Sequence, residues 1–389
     1  MRRFLQMLFS NPLSIVQLCY YWLRIFILHM KKKKSVVFNF HHDYFVDIFY
    51  PIHKRIVANP DIEVFYSCDT KDETLVSALK AKNLEKRKIS NKISPFVAFD
   101  LFICSEITGP DFPFKFFRTR KLETYHGNGI SGFHKKIDVI KKFDAHFAIG
   151  PKFNEFLNSI YTNEKKPNIY NVGYPKLDIL LEKTEQTQEL RKLYKLKEKP
   201  TILYAPHWNP YGSLHIFGTK IIEELVKYDI NLLIKPHHYL YAKYPEGDWK
   251  NQLNKFAKKY EHVTLVTRPN TQELYPLADL MISDTGTSAP FEFCLLQKPL
   301  LVFANYTLFD ENPEEDNSEE KAILEASICF ENLEDFSQMM KAFLNRDETF
   351  INEINSQKKR QRNLIDSLLY NPGKASQYAE QAILEELNQ

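Results

Sequence analysis

Glycine is scarce in this sequence, and several motifs that depend on glycine are missing. Only 11 of the 389 residues are glycine, which excludes collagen-like and low-complexity classes. No P-loop occurs, so a P-loop nucleotide-binding enzyme is excluded. No Gly-x-Ser-x-Gly elbow occurs either, which excludes the serine hydrolases that are built on that motif.

Cysteine is also sparse, and its spacing fits neither a disulfide framework nor a metal site. No two of the five cysteines form a Cys-x-x-Cys pair or another metal-ligand spacing. An odd, dispersed count in a large chain is typical of buried thiols in a reducing cytosol. We therefore expect no metal ion and no cofactor apart from a substrate.

Acidic residues are absent from the first 36 residues, which carry seven basic ones. The remaining chain has 45 basic and 49 acidic residues, so it is not a general nucleic-acid binder. Residues 4–30 are largely apolar, but Gln17, Arg24 and His29 interrupt them, which disfavours a membrane span. Four lysines follow instead of a signal-peptide cleavage site. We predict a helix on an anionic membrane surface, with a helix packed on the protein body as the alternative.

Short apolar runs of strand type alternate with helical patterns along the rest of the chain, which predicts parallel, doubly wound α/β sheets. A charged stretch near residues 182–199 divides the alternation into two halves. The predicted fold is therefore two Rossmann-like domains facing a cleft. We predict a membrane segment at 1–34, an acceptor domain at 35–182, a nucleotide-donor domain at 198–373 and a closing C-terminal helix at 374–389.

The strongest local signal is the end of the apolar run 277–284. The run stops at Asp284, and Thr285, Gly286, Thr287 and Ser288 follow it; a helix is predicted to begin near Pro290. Backbone N–H groups and hydroxyls at such a turn can hold a phosphate, although a simply well-capped helix has the same pattern.

Other polar residues follow further predicted strands, where ligands bind in sheets of this kind. Lys235 and His237 could stabilise a diphosphate, and His207 could line the same cleft. Glu292 could bind ribose hydroxyls or could instead complement the helix dipole. His126 follows a strand of the first half and could be a general base. Four residues are candidates for acceptor binding: His41, His42, Asn128 and Gly129.

A series of motifs in fixed order makes a family resemblance visible from about residue 120 onwards. The series resembles that of the CDP-glycerol glycerophosphotransferases, which are teichoic-acid primases and polymerases. Its motifs are Tyr125-His126-Gly127, Gly173-Tyr174-Pro175-Lys176-Leu177-Asp178, Tyr204-Ala205-Pro206-His207-Trp208, Lys235-Pro236-His237, Ser283-Asp284-Thr285-Gly286-Thr287-Ser288, Phe291-Glu292-Phe293, Lys298-Pro299 and Gly373-Lys374-Ala375-Ser376.

The resemblance implies a GT-B fold and a peripheral or monotopic enzyme on the cytoplasmic face of the cell membrane. Its substrates would be CDP-glycerol or a related CDP-alditol and a hydroxyl of a lipid-linked or glycan acceptor, and CMP would be released. His126 matches the family's catalytic histidine, and His237 matches its second essential histidine. Thr287 and Ser288 match the hydroxyl pair that holds donor phosphate.

Two departures from the family pattern leave an alternative open. The family's His-Gly-Thr-Pro-Leu-Lys is replaced here by His126-Gly127-Asn128-Gly129-Ile130-Ser131, and its Thr-Trp is replaced by His207-Trp208. Both changes affect the expected acceptor and transferred group. The alternative is a GT-B glycosyltransferase that uses a nucleotide sugar to build capsule or another surface polysaccharide.

Overall fold

The computed structural model describes residues 12–105, 119–125, 136–161, 166–181, 185–237, 239–267, 271–311 and 318–389. Internal contacts divide the chain into two compact units. The first unit comprises the chain up to Ile179 together with Leu368–Gln389, and the second comprises Leu180–Ser367. The closing C-terminal segment therefore belongs to the first unit.

The strands of the described residues form two parallel sheets, one in each unit. The first sheet has seven strands in the order β3-β2-β1-β4-β5-β6-β7, and the second has six in the order β10-β9-β8-β11-β12-β13. The strands are β1 Lys34–Asn39, β2 Ile62–Cys68, β3 Lys88–Ser90, β4 Leu101–Cys104, β5 Arg120–Thr124, β6 Ala145–Ala148, β7 Asn168–Asn171, β8 Thr201–Ala205, β9 Asn231–Ile234, β10 Val263–Leu265, β11 Leu280–Asp284, β12 Leu300–Phe303 and β13 Ile328–Phe330.

Helices connect these strands. The α-helices are α1 Pro12–Met30, α2 Phe45–Ile56, α3 Glu73–Ala81, α4 Ile137–Ile140, α5 Pro151–Ile160, α6 Glu185–Leu193, α7 Ser213–Phe217, α8 Lys220–Leu225, α9 Tyr239–Lys243, α10 Trp249–Lys259, α11 Ala289–Cys294, α12 Thr307–Glu311, α13 Ser318–Glu325, α14 Leu333–Leu344, α15 Glu348–Leu368 and α16 Ala375–Leu387. Short 3-10 helices lie at Glu85–Arg87, Ser94–Phe96, Pro175–Leu180, Pro245–Gly247 and Gln272–Leu277.

Alternating side chains of the first sheet supply two separate cores. Val36 and Phe38 of β1 belong to a cluster that includes residues of α2 and α16. Val37, between them, belongs to the cluster on the other face, together with Leu18 and Ile25 of α1. The two-residue period of a strand explains this division, because successive side chains point to opposite faces. A parallel sheet covered on both faces also explains why these strands read as continuous apolar runs.

The buried carboxylate of Asp178 holds the start of helix α16 on the rest of the first unit. Asp178 lies in the 3-10 helix Pro175–Leu180, but it does not cap the helix that follows along the chain. Instead, its two oxygens accept hydrogen bonds from the backbone N–H groups of Ala375 and Ser376, at 3.1 and 2.7 Å. Gly173 has a φ of +98° and lies so close to Tyr370 that a Cβ there would be 2.0 Å from the Tyr370 carbonyl oxygen. The motifs at 173–178 and 373–376 thus form one structural joint.

Helix α1 packs on the first unit with one face only. Leu18, Ile25 and Leu28 are buried in the core cluster described above. The indole N–H of Trp22 donates to the Phe96 carbonyl at 2.8 Å, and Arg24 pairs with Glu63 at 2.5 Å. Among the described residues, no helix is long and apolar enough to cross a membrane.

Candidate functional site

Three of the predicted motifs lie at the same edge of the second sheet. Strand β8 pairs with β9 on one side and β11 on the other, all in parallel register. Because all three strands are parallel, their carboxyl ends share one edge. Lys235 and His237 follow β9, His207 follows β8, and the loop 285–288 follows β11. The order of strands reverses between β8 and β11, which is where doubly wound sheets bind ligands.

Asp284 connects two of these motifs. It is 1% exposed, and its Oδ2 accepts hydrogen bonds from the backbone N–H groups of His207 at 2.7 Å and Ser213 at 3.1 Å. Burial raises the pKa of Asp284 to about 6, although these hydrogen bonds act in the opposite direction. Gly212 leaves room for the carboxylate, since a Cβ there would lie 2.9 Å from Oδ2. Asp284 therefore positions the β8 loop.

The imidazole rings of His207 and His237 lie next to each other, with centroids 6.1 Å apart. Nδ1 of His207 accepts the backbone N–H of Asn209 at 3.3 Å, and Nδ1 of His237 accepts that of Tyr239 at 3.2 Å. A backbone N–H can only donate, so each neutral ring carries its proton on Nε2. Burial lowers the pKa of His207. Both rings therefore present an N–H donor in the neutral form.

Lys235 supplies a cation at this edge. Its side chain is buried, and its ammonium group donates to the carbonyl of Pro236 at 3.5 Å. Burial lowers the pKa of Lys235, and no ion pair to another described residue offsets that effect. A bound anion would therefore relieve the desolvation cost of this ammonium group.

The hydroxyl groups of the loop after β11 differ in how accessible they are to a ligand. The Thr285 hydroxyl donates to the Phe303 carbonyl at 2.8 Å and accepts the N–H of Asn305 at 3.3 Å, so this side chain fixes the loop. Gly286 has a φ of +84°, which favours glycine. Thr287 is half-buried and Ser288 is exposed. Ser288 precedes α11, whose first turn contains a proline, as the sequence indicated.

Glu292 lies in α11, the helix that follows the loop, with 2% of its surface exposed. Its Oε2 accepts hydrogen bonds from Gln272 at 2.5 Å and from the Tyr275 hydroxyl at 3.0 Å. These contacts tie α11 to the 3-10 helix Gln272–Leu277. The structure thus gives Glu292 a buried supporting position, whereas its contact with a ribose stays a prediction.

Two residues at this edge were missed by the sequence analysis. Asn305 follows β12, and its Nδ2 donates to the Tyr211 carbonyl at 3.0 Å; a search of every strand end would have found it. Glu320 accepts the N–H of Gly286 at 3.3 Å, and burial raises the pKa of Glu320 to about 7. No local sequence signal marks Glu320, because it lies in α13, 34 residues beyond Gly286.

In the first unit, the predicted acceptor residues His41 and His42 follow β1, an interior strand of the sheet. Asn39 Nδ2 lies 2.8 Å from His41 Nε2, and the His42 ring stacks on Tyr44 with centroids 5.4 Å apart. The other predicted residues of this unit, His126, Asn128 and Gly129, lie outside the described residues. Tyr125, just before them, is buried at the end of β5.

Two α/β units, each built on a parallel sheet, are typical of the GT-B class, so the predicted GT-B class is confirmed, whereas the cleft and the membrane contact of α1 stay predictions. The sequence pattern of one family of that class, the CDP-glycerol:poly(glycerophosphate) glycerophosphotransferases, matches residues 22–383. The chain therefore belongs to this family, as the ordered motifs predicted.

Individual relatives agree with this assignment. The chain is 26% identical over 209 residues to a teichoic acid glycerol-phosphate primase of Bacillus spizizenii, and the match covers 51% of this chain and 50% of the primase. The chain thus matches about half the length of that relative. The wall teichoic acid polymerase TagF has the same fold, with a TM-score of 0.69 and 18% identity over 100% of this chain and 97% of that one.

A UDP-GlcNAc 2-epimerase from Neisseria meningitidis, solved with UDP-GlcNAc bound, is also similar in fold. Its TM-score is 0.58 at 14% identity, and the match covers 91% of this chain and 99% of the epimerase. At such identities the two solved structures establish the fold.

Proposed function

We propose that this protein transfers glycerol phosphate, or a related alditol phosphate, from a CDP-alditol to a hydroxyl of a membrane-linked or glycan acceptor, with release of CMP. The observation that carries the proposal is the gathering of Lys235, His207, His237 and the 285–288 loop at one edge of the second sheet. One cation and several N–H donors suit a diphosphate. Family membership supports a CDP-linked one.

In the proposed reaction, the acceptor oxygen attacks the phosphorus that carries the alditol. A new oxygen–phosphorus bond forms, the bond from that phosphorus to the bridging oxygen breaks, and CMP leaves with the electron pair. His126 would accept the hydroxyl proton, as the family resemblance implies. Lys235 and the Nε2–H group of His237 would stabilise the charge that develops on the leaving phosphate. Such a transfer depends mainly on positioning and electrostatics.

Product analysis tests the proposal directly. The full chain is incubated with a panel of CDP-alditols and nucleotide sugars, and the released nucleotide is identified. Release of CMP from a CDP-alditol supports the proposed function. Release of a nucleoside diphosphate from a nucleotide sugar would instead establish the glycosyltransferase alternative.

Histidine variants test the assignment of roles. We expect His126→Ala and His237→Ala each to lower turnover by about 100-fold or more, the usual range for an acid–base or charge-stabilising group. His262→Ala is a matched control, because His262 precedes β10 and lies at the amino edge of the same sheet. A loss of activity in the control as large as in His237→Ala would contradict the site.

We also propose that α1 holds the protein on the cytoplasmic face of the membrane. Helix α1 exposes eight large apolar side chains, which are Ile15, Val16, Tyr20, Trp22, Leu23, Phe26, Ile27 and Met30. Apolar side chains on a helix followed by lysines are typical of a helix lying on an anionic membrane. Burying these side chains in lipid would remove the apolar surface from water.

Point variants test the membrane contact without removing the part of α1 that belongs to the core. We expect Val16→Ser with Phe26→Ser to weaken binding to anionic vesicles at least about tenfold, because two large apolar side chains are lost from the contact. Leu193→Ser with Ile216→Ser is the control, since both side chains are more than half exposed elsewhere. Equal binding by the two double variants would contradict the proposal.

A further inference from the structure

A cavity of about 260 Å³ lies against α1, within the first unit. Its walls come from one stripe of the helix, from the turn that follows it and from β2. The lining residues are Tyr20, Leu23, Arg24, Ile27, Leu28, Lys31, Lys33 and Glu63. Small-molecule sites usually exceed about 300 Å³, so this cavity is too small for a nucleotide. It has room for a group the size of several water molecules.

The charged groups of the cavity favour an anion. Arg24, Lys31 and Lys33 are cationic, and Glu63 is the single acid that lines it. Glu63 accepts the Arg24 Nε–H group at 2.5 Å, and this hydrogen bond raises the pKa of Arg24. A guanidinium group has five N–H donors, so this bond fixes its orientation while others can serve a ligand.

The two lysines line the cavity from the turn at the end of α1. Lys33 Nζ donates to the Pro60 carbonyl at 2.7 Å, which holds the ammonium group near the chain that leads into β2. An ammonium group has three N–H donors, and one carbonyl uses one of them. The hydrogen bond to Pro60 thus fixes the position of the Lys33 ammonium group at the cavity.

The apolar wall of the cavity is continuous with the exposed face of α1. Leu23 is 60% exposed and Ile27 is 42% exposed, and both also line the cavity. A ligand with a charged head in the cavity could therefore lay its apolar part along α1. A phospholipid has this combination of an anionic head and apolar chains.

We propose that this cavity binds the phosphate head group of an anionic phospholipid, with the acyl chains along the exposed face of α1. This proposal rests on the proposed contact of α1 with the membrane, and it makes that contact selective for head-group charge. Burial of the phosphate among three cations would be stronger than attraction to a charged surface alone.

Neighbouring lysines provide a matched test on the full chain. Lys31→Gln and Lys33→Gln each remove one charge from the cavity. Lys32→Gln removes the same charge from an exposed lysine that does not line it. Binding is measured with phosphatidylcholine vesicles that contain or lack phosphatidylglycerol. Loss of any surface lysine weakens binding to anionic lipid about fivefold.

We expect Lys31→Gln and Lys33→Gln to weaken binding to the phosphatidylglycerol vesicles by a further factor of about five beyond Lys32→Gln. Equal losses in all three variants would overturn the proposal, because general electrostatics would then account for them. Inorganic phosphate should release the wild-type protein from these vesicles more than chloride at equal ionic strength, because it competes for the cavity, and equal release by the two salts would also overturn the proposal.

The same variants separate this proposal from the transferase proposal. The residues proposed for CDP-alditol turnover are His126 and the groups at the carboxyl edge of the second sheet, and none of them lies in α1 or its turn. With a soluble acceptor we therefore expect unchanged turnover in all three lysine variants. Selective lipid binding without CDP-alditol turnover would contradict the transferase proposal alone. Turnover with equal behaviour of the three lysine variants would contradict the lipid site alone.

Discussion

Each unit contains a buried aspartate that accepts hydrogen bonds from backbone N–H groups, and the two have different consequences. Asp178 in the first unit holds the start of α16, whereas Asp284 in the second holds the loop that carries His207. Burial raises the pKa of both carboxyl groups. The same interaction, a buried carboxylate that accepts backbone N–H groups, therefore holds a helix in one unit and positions the candidate site in the other.

Other buried side chains show the same contrast between a role in the fold and a position at the candidate site. In the first unit, Glu386 pairs with Arg120 at 2.5 Å and accepts hydrogen bonds from Asn168 and Tyr170, all within the fold. In the second unit, Lys235 and Asp284 lie at the carboxyl edge of the sheet. Glu386 in the first unit thus serves the fold, whereas Lys235 and Asp284 in the second lie at the candidate site.

Substitution of the two aspartates is expected to cause the largest changes in turnover and stability. We expect Asp284→Ala to lower turnover of the donor by about 100-fold, because a misplaced His207 loop removes a donor and small displacements are costly. Asp178→Ala should instead lower the free energy of unfolding by about 2 kcal/mol, the cost of a lost helix cap. Steady-state kinetics and urea unfolding of both variants separate the two roles.

The comparison would fail if Asp178→Ala lost as much turnover per folded molecule as Asp284→Ala. It would also fail if Asp284→Ala kept full turnover and lost stability alone.

Acid should affect the two units in opposite directions. Burial lowers the pKa of His53 to about 4 and of His146 to about 3 in the first unit. The unfolded chain then binds protons first, so stability is lost as pH falls below 6.5, by about 2 kcal/mol per histidine by pH 4.5.

In the second unit, burial raises the pKa to about 6 for Asp284 and about 7 for Glu320. The contribution of these two carboxyl groups to the free energy of unfolding therefore grows as pH falls from 7 to 4.5. His207 opposes this gain, and Asp178, whose pKa burial raises, opposes part of the loss in the first unit.

Calorimetry and hydrogen exchange at pH 7 and pH 5 should show the first unit becoming the less stable one in acid. His146→Gln should reduce that change, whereas His29→Gln should not, since the His29 side chain is 50% exposed. Parallel destabilisation of both units, unaffected by His146→Gln, would contradict the assignment.

Two glycines of the second unit give the smallest effect. Gly286 and Gly218 both have positive φ angles, of +84° and +61°, so alanine at either should cost about 1 kcal/mol or more of unfolding free energy. A Cβ at Gly286 would also lie 2.8 Å from Leu308, whereas nothing lies within 4 Å of one at Gly218. We expect only Gly286→Ala to raise the KM for the donor, and an equal rise in both variants would disprove the loop's role.

Much of the fold could be predicted from the sequence, because buried parallel strands are continuous apolar runs. The strands β1, β2, β8, β9, β11 and β12 lie where such runs occur. The three-residue strands β3 and β13 were missed, although the equally short β10 lies in a recognisable apolar run. The motif order also predicted the family, which the match over residues 22–383 confirmed.

Contacts between distant segments could not be predicted. Asp178 holds a helix almost 200 residues later, and Glu320 reaches Gly286 from a helix of its own. Such pairs leave no period in the sequence, because each depends on which elements pack together. The same applies to α1, whose apolar residues divide between a face in the core and an exposed face.

The sequence by itself determined the strand order along the chain, the polar residues at strand ends and the family. Those properties follow from local patterns of side chains, which a strand or turn imposes within a few residues. Only the tertiary structure decided that β9, β8 and β11 are neighbours, that Asp284 supports His207, and that Glu320 contacts the loop. Hydrogen bonds and burial of this kind arise between residues that are distant in sequence, and the packing of the sheet brings them together.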